Sequence, residues 1–167
     1  MATTISDYFV ATPSGLDPLG MDPLGDADVL QEAQLLGVQT DAVRGVAGLL
    51  FEMRTALQIR QGDTAVLILR GVRDVTWSAP PRPTELTAWT VDGSTFEREA
   101  GLLRVSMSMW PSPGADLTVV ATSAEFVVGD VKGLEHAPPD YTDGSIDGKI
   151  ATWNSVMTPV MGFRVSA

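Results

Sequence analysis

The feature that most constrains the fold is a stretch with a period of two at residues 49–60, which read LLFEMRTALQIR. Apolar side chains hold its odd positions, namely Leu49, Phe51, Met53, Leu57 and Ile59. Successive side chains of a strand point to opposite faces. The pattern therefore predicts a strand with these residues in the core and Glu52 and Arg54 in solvent. A turn at residues 61–63 and an apolar run at residues 65–69 predict a returning arm deep in the sheet.

The same residues also fit a helix. Leu49, Met53, Ala56 and Leu57 have helical spacing, and most of the stretch consists of good helix formers. Gly48 would open such a helix without a side-chain cap, and Phe51 and Ile59 would lie off its apolar stripe. The strand is the preferred interpretation, with the helix as the alternative.

Further strands follow towards the C-terminus. Residues 86–91 and 94–98 predict two strands joined by a turn at Asp92 and Gly93, and residues 103–110 alternate most clearly of all. A loop with two prolines leads to a returning strand at residues 117–121. Phase changes predict bulges at Gly71 and near residues 122–123. The fold class is therefore mainly β, an antiparallel sheet of about six to eight strands built from hairpins, as a sandwich or a strongly curved sheet, with at most one or two short helices.

The chain of 167 residues is interpreted as a single domain. Residues 1–25 form an extended N-terminal arm with a short edge strand at residues 5–10 and a twice-repeated Asp-Pro-Leu-Gly, interpreted as a surface loop in preference to a recognition arm. Residues 26–129 form the β core, which begins with a helix at residues 26–35 or a strand at residues 34–40. Residues 130–167 form an acidic loop and a docked C-terminal tail.

The net charge of −10 is concentrated at the two ends of the chain. Residues 1–43 contain seven acidic residues and no basic one, whereas residues 44–124 contain eight of each. Phosphate binding needs clustered Lys and Arg, so nucleic acid and anionic membranes are not expected as partners. No apolar stretch reaches the length of a membrane span. A cytoplasmic location is the expectation.

Catalytic signals are absent from the sequence. There is no cysteine, the one histidine, His136, lies in an irregular segment, and no phosphate-binding or dinucleotide-binding glycine motif occurs. Asp140, Asp143 and Asp147 have metal-like spacing but lack the glutamate that closes a calcium loop. A solvated turn is therefore preferred to a metal site. No cofactor and no catalytic residue are assigned. The strand carboxylates are expected to form salt bridges with neighbouring arginines; they are Glu52, Asp74, Glu85, Glu97 and Glu125.

The remaining candidates for function are aromatic and basic residues expected on the outward face of the sheet. Trp110 stands in the polar phase of its strand beside the proline loop, which predicts an exposed aromatic contact. Arg54, Arg70 and Arg104 are predicted to share that face. Trp77 and Trp89 flank the proline-rich segment at residues 79–83 and are expected to cluster in the core at one end of the sheet.

The order LLGV, LLFEMRTALQ and TAVLILRGVRDVTW, followed by a late hairpin, resembles a group of uncharacterised actinobacterial proteins. More loosely, it resembles the β-rich immunity proteins of bacterial polymorphic toxin systems. The likeness covers about residues 33–129, and no catalytic residues come with it. It implies a protein that neutralises a toxin by binding it.

Three hypotheses follow from the sequence. The leading one is a non-enzymatic protein-binding module, of the immunity type, that meets its partner with an acidic surface. The alternative is a small-molecule-binding protein or enzyme with a pocket between the sheet and the C-terminal tail, near Trp77, Trp89 and Trp153. The third is a homodimer formed through an exposed sheet edge or face.

Overall fold

The structure, a computed structural model, describes residues 3–82, 86–142 and 145–167. Its regular elements are one 3₁₀ helix, Ile5–Phe9, and ten strands: β1 Asp17–Pro18, β2 Gln34–Asp41, β3 Val46–Glu52, β4 Thr64–Arg70, β5 Asp74–Ser78, β6 Trp89–Glu99, β7 Leu102–Trp110, β8 Ala115–Ala121, β9 Ser123–Val131 and β10 Met157–Ser166. Among the residues described, no helix is long and apolar enough to cross a membrane.

All ten strands belong to one sheet with the order β1-β10-β9-β4-β3-β2-β6-β7-β8-β5. The mainly β fold class is confirmed. The number of strands is ten and not the expected six to eight, and their pairing is not purely antiparallel. The sheet is mixed, because β1 pairs in parallel with β10. The extra strands were hidden by their sequences: β1 has two residues and includes Pro18, and β10 contains Pro159 and Gly162. The pairing of β9 with β10 accommodates Pro159 through a register shift between Pro159 and Met161.

The sheet folds over itself at two bends in the chain. At Gly71 the chain passes from β4, which pairs with β9, into β5, which pairs with β8. At Thr122 it passes from β8 into β9. Both bends lie where the sequence predicted bulges. We call strands β5, β8, β7 and β6 the front layer and strands β2, β3, β4, β9 and β10 the back layer.

The main core fills the space between the two layers. It is built from alternate residues of facing strands, such as Phe51, Leu67 and Phe126 of the back layer and Val105 and Leu117 of the front layer. Each is 2 % exposed or less. Burial of this apolar area is the main force that holds the layers together.

A second core lies on the outer side of the back layer. Leu50 and Ile68 point away from the main core and pack among Tyr8 of the 3₁₀ helix and residues of the C-terminal segment, including Trp153. Strands β3 and β4 are consequently apolar on both faces. This confirms the prediction that residues 65–69 lie deep in the sheet.

The first arm of the central hairpin ends earlier than its alternation predicted. Strand β3 stops at Glu52, and residues 53–63 form a loop that Met53 closes by donating its N–H to the Asp63 carbonyl. Met53 and Ile59 still bury their side chains in the main core, whereas Leu57 is exposed. The apolar residues at odd positions after Glu52 therefore belong to a loop, and two of them, Met53 and Ile59, reach the core without being part of a strand. The helical alternative is wrong as well.

Three further local predictions are corrected by the structure. The expected edge strand near residue 5 is the 3₁₀ helix. Residues 26–33 form turns, and the strand alternative, β2 from Gln34, is confirmed. The turn expected at Asp92 and Gly93 is a bulge within β6, because β7 is long enough to pair on both sides of it. The hairpin turn falls instead at Ala100 and Gly101, which both have positive φ.

Candidate functional site

The outer face of the front layer is a regular sheet surface on which exposed and partly exposed side chains alternate with core residues. Along β7, Leu103, Val105, Met107 and Met109 point into the main core, so the residues between them point outward. Strand β8 alternates in the same way. We call this surface the front face. Its residues are Asp74, Thr76 and Ser78 of β5, Asp116, Thr118 and Val120 of β8, Arg104, Ser106, Ser108 and Trp110 of β7, and Thr95 and Glu97 of β6.

A row of hydroxyl side chains crosses the middle of the front face. The strand register aligns Thr76 with Thr118, Thr118 with Ser106, and Ser106 with Thr95. The hydroxyls of Ser106 and Thr118 lie 3.0 Å apart and share a hydrogen bond. Three of these side chains, Thr95, Ser106 and Thr118, line a depression of about 400 Å³ together with Ser108 and Asp116. The centre of the front face is therefore recessed, polar and open to a partner.

Carboxylates surround this row. Asp74, Asp116 and Glu97 are all exposed, and Arg104 is the one guanidinium among the face residues. Asp74 accepts a hydrogen bond from the Thr76 hydroxyl at 2.8 Å. Three negative charges against one positive charge give the front face a net negative potential, which favours a partner of positive charge.

Trp110 lies at the end of β7, on the same side as Ser106 and Ser108, and is 45 % exposed. Its position beside the loop of residues 111–114 puts a large aromatic group at the margin of the hydroxyl row. Tryptophan is enriched among the residues that contribute most to binding at protein interfaces. The use of Trp110 as a contact stays a prediction.

Arg54 is not on this face and is not free in solvent. Its guanidinium forms a two-pronged ion pair with Glu52, with Nε 2.8 Å from Oε1 and Nη2 2.6 Å from Oε2. The side chain of Glu52 is 1 % exposed and that of Arg54 is 11 % exposed. The expectation that both residues lie in solvent is wrong, because β3 is covered on both sides.

The remaining donors of Arg54 hold the C-terminal segment in place. They bind the carbonyl oxygens of Leu134, His136 and Lys149 at 3.2, 2.9 and 2.6 Å. Tyr141 is partly buried and its hydroxyl is enclosed; burial, together with the nearby Glu52 carboxylate, raises the pKa of Tyr141. Arg54 is a structural residue that fastens Leu134, His136 and Lys149 to the end of β3.

Arg70 has a similar structural role at the other end of the back layer. It donates hydrogen bonds to the carbonyl oxygens of Tyr8 and Phe9 and forms an ion pair with Glu125 of β9. It thereby fastens the 3₁₀ helix over the second core. Of the three arginines predicted to share the outward face with Trp110, the structure places only Arg104 there.

A charged cleft of about 600 Å³ lies between the end of the back layer and the segment that follows β9. Its lining includes Arg60, Lys132 and His136, together with the carboxylate of Asp63. Asp63 is 9 % exposed and accepts hydrogen bonds from the Thr64 hydroxyl and the Val131 N–H. Burial raises the pKa of Asp63, against the opposite effect of these two hydrogen bonds.

The acidic segment forms no cation site in the part of the chain that the structure describes, where no three metal-ligating side chains come together. Asp140 is exposed and accepts hydrogen bonds from the N–H and hydroxyl of Thr142, which lower the pKa of Asp140. Asp147 is also in the described part, whereas Asp143 lies outside it, as does Glu85.

Trp77 and Trp89 form the expected cluster, but not in the core. Their rings meet edge to face with centroids 5.9 Å apart, and Trp77 is 45 % exposed. They line an apolar groove, whereas Trp153 packs elsewhere, against Phe9 in the second core. The groove leaves no local signal in the sequence, because its residues come from three separate parts of the chain.

The buried pair was also missed, although a signal for it was present. Glu52 ends a run, VAGLLFE, in which every residue is buried. A strand without polar alternation is typical of a sheet interior, and a charged residue there requires a partner.

Comparison with protein-family models finds no match, and comparison with curated proteins finds no similar sequence.

Proposed function

We propose that this chain is a non-enzymatic protein-binding module that binds a partner of basic surface through its front face. The observation that carries the proposal is an asymmetry between the two layers. The outer side of the back layer is covered by the 3₁₀ helix and the C-terminal segment. The front face, by contrast, presents an exposed hydroxyl row with carboxylates around it.

The chemistry of the front face fits this role. Small hydroxyl side chains allow a partner to approach closely and can donate or accept hydrogen bonds. The net negative charge increases the rate of encounter with a basic protein and disfavours acidic ones. Trp110 supplies a large apolar contact beside the hydroxyl row, and tryptophan is enriched among the residues that contribute most to binding energy.

The resemblance to immunity proteins indicates what kind of partner the front face would bind. The partner would be a toxin with a basic surface, which the front face covers. A cytoplasmic location accompanies the proposal, because the chain has no cysteine and disulfides are typical of exported proteins. A homodimer through the front face is not proposed, since it would bring Asp74, Asp116 and Glu97 of two copies together.

The proposal is tested by placing a positive charge on the front face. Ser108 is exposed near the centre of the face, and Ser166 is an exposed serine on β10, away from it. The partner is captured from the source cells with the wild-type chain and purified, and its affinity is measured for wild type, Ser108→Arg and Ser166→Arg. We expect Ser108→Arg to weaken binding by at least about tenfold, which corresponds to about 1.4 kcal/mol. Equal affinities of the two variants would contradict the proposal, as would failure to capture any partner.

The charged cleft supports a second candidate function, the binding of a small molecule. Its lining includes Arg60 and Lys132 as well as Asp63 and Asp130, so the cleft offers both signs of charge to a zwitterionic ligand. The sequence hypothesis of a small-molecule pocket named Trp77, Trp89 and Trp153, and none of these lines the charged cleft.

A thermal-shift screen of zwitterionic metabolites tests this second candidate. A ligand that raises the melting temperature of wild type but not that of a Lys132→Ala variant would support it. If no compound in the screen shifts the wild type, the candidate fails.

A further inference from the structure

An apolar groove of about 270 Å³ opens at the side of the molecule, between β2 of the back layer and β5 of the front layer. Trp77 of β5 and Trp89 at the start of β6 form its aromatic wall. At one end, the Val72 N–H donates to the Gly45 carbonyl at 2.9 Å, which joins the bend after β4 to the turn after β2. The remaining lining residues are Leu35, Leu36, Gly37, Val38, Leu86, Thr87 and Ala88.

The groove exists because β2 and β6 separate after two residues. They pair only at Gln34 with Thr90 and at Leu35 with Trp89. The register of β2 against β3 shifts at Leu36, and such a bulge bends a strand away from its neighbour. On the other side, Pro80 and Pro81 precede β6 and cannot donate backbone hydrogen bonds. In the described part of the chain, residues 37–41 of β2 are therefore paired with β3 alone.

Strand β5 presents a second open edge beside the same groove. It is the last strand in the sheet order and pairs only with β8. An open edge is a row of backbone donors and acceptors that can pair with another extended chain. Two such edges therefore flank one groove, and each could pair with a strand laid along it.

The lining of the groove selects the side chains of an occupant. None of its described lining residues carries a charge, in contrast to the front face. The ring of Trp89 is held by Arg82, whose guanidinium lies 5.1 Å from the ring centroid and donates to the Pro111 and Pro113 carbonyls. The groove thus offers a fixed aromatic surface of the kind that takes a bulky uncharged side chain.

The short length of the open strand edges favours a flexible segment over a second copy of this chain as the occupant of the groove. Strand β5 has five residues, so it is about 17 Å long. Pairing two such edges buries much less than the 1,200–2,000 Å² or so of a stable interface between folded proteins. A single extended segment needs less area, because it gains backbone hydrogen bonds along β2 and apolar burial in the groove together.

We propose that the groove between β2 and β5 binds an extended, uncharged segment of a partner protein. The segment adds as a strand to the open edge of β2 at residues 37–41 and places one bulky apolar side chain against Trp77 and Trp89. This site is separate from the front face, and its existence does not depend on the function proposed for that face.

The probe is a set of fluorescein-labelled hexapeptides of alternating threonine and apolar residues, with alanine, leucine or phenylalanine at one central position. Binding to the full chain is measured by fluorescence polarisation. We expect affinity to rise from the alanine to the phenylalanine peptide, and amide exchange of β2 residues 37–41 to slow when the peptide is bound.

The chain supplies a matched pair of variants. Trp77 and Leu57 are 45 % and 47 % exposed, but only Trp77 lines the groove. Trp77→Ala is expected to weaken peptide binding by about tenfold, and Leu57→Ala to leave it unchanged. Circular dichroism shows whether each variant folds.

Three results would overturn the proposal: no binding of any peptide to wild type, equal affinities of the two variants, or bound peptide without protection of β2. The exchange experiment uses the wild type, so it decides the matter even if Trp77→Ala does not fold. A failure here leaves the front-face proposal intact, because that proposal is measured with Ser108→Arg.

Discussion

Glu52 and Arg54 are two residues apart in sequence and form the most buried ion pair of the described chain. The loop after β3 turns back at once, so the guanidinium lies over the carboxylate of the preceding strand residue. Because the Arg54 N–H and side chain both bind Glu52, the pair also fixes the direction in which the chain leaves β3. It connects one strand end to four carbonyl groups of the C-terminal segment, those of Leu134, His136, Ala137 and Lys149.

Removal of Arg54 tests this connection. Arg54→Met leaves the Glu52 carboxylate buried without a partner, so we expect a loss of about 3–5 kcal/mol in the free energy of unfolding. Urea denaturation measures this loss. Arg104→Met is the control, since Arg104 is exposed, and we expect it to change stability by less than about 0.5 kcal/mol.

The double variant Glu52→Gln with Arg54→Met gives a second check. It removes the buried charge as well as its partner, so it should be more stable than Arg54→Met alone. A cost of Arg54→Met equal to that of the Arg104 control would show that the pair does not hold the segment.

Asp63 gives a pH dependence whose sign follows from its raised pKa. In the unfolded chain an aspartate loses its proton near pH 3.9. In the folded protein burial retains the proton to higher pH, so the folded state binds more protons in this window. Stability contributed by Asp63 is therefore present below about pH 4 and is lost as the pH rises through the folded pKa.

Asp63→Asn removes this titration while retaining an oxygen that accepts the Val131 N–H. Compared with wild type, the melting temperature of Asp63→Asn should increase as the pH rises from about 4 towards neutrality. Thermal unfolding of both proteins across that range measures the difference. A difference that stays constant with pH, or falls as the pH rises, would contradict the raised pKa.

At the scale of elements, the bend between β4 and β5 depends on Gly71. It has a φ of 63°, and a Cβ built there would lie too close to the Thr122 hydroxyl, which belongs to the other bend. The two bends are in contact, because Thr122 donates both its N–H and its hydroxyl to the Arg70 carbonyl. The two bends of the chain lie so close together at Gly71 and Thr122 that there is no space for a side chain at Gly71.

Gly71→Ala and Gly101→Ala separate steric from backbone effects. Gly101 has a φ of 74° and open space around it, so its replacement should cost only the backbone penalty of about 1–2 kcal/mol. Gly71→Ala adds the clash with Thr122 and should cost more. Chemical denaturation of the two variants gives the comparison, and equal costs would show that the corner tolerates a side chain.

Strands with one covered face could be predicted from the sequence. Strand β7 alternates because its inner residues meet the main core and its outer residues meet solvent, so its period of two is visible. Strand β3 does not alternate, since both of its faces are covered. The predicted C-terminal end of β3 therefore depended on loop residues such as Met53 and Ile59, which reach the core although they are not part of a strand.

Strand β10 could not be predicted, because its stability depends on its neighbour. Its sequence contains Pro159 and Gly162, which are poor strand residues. Pairing along β9 outweighs this preference. Long-range pairing of this kind leaves no local pattern in a sequence.

At the scale of the whole molecule, the two layers differ in what covers them. The back layer is covered on both sides, and the residues that hold its cover, Arg54 and Arg70, looked like surface residues in the sequence. The front layer has one open side, and the residues predicted there, Arg104 and Trp110, lie on it. A charged strand residue binds its own chain where another segment covers that face of the sheet, and it can bind a partner where the face is open. Which faces are covered is a property of the tertiary fold.

The most direct test of the front-face proposal is site-specific photo-crosslinking in the source cells. A photoreactive amino acid replaces Ser108 on the front face in one experiment and Ser166 on β10 in the other, and crosslinked proteins are identified by mass spectrometry. We expect Ser108 to capture a protein with a basic surface that Ser166 does not capture. Crosslinking of the same proteins from both positions, or of none from Ser108, would contradict the assignment of the front face as the binding surface.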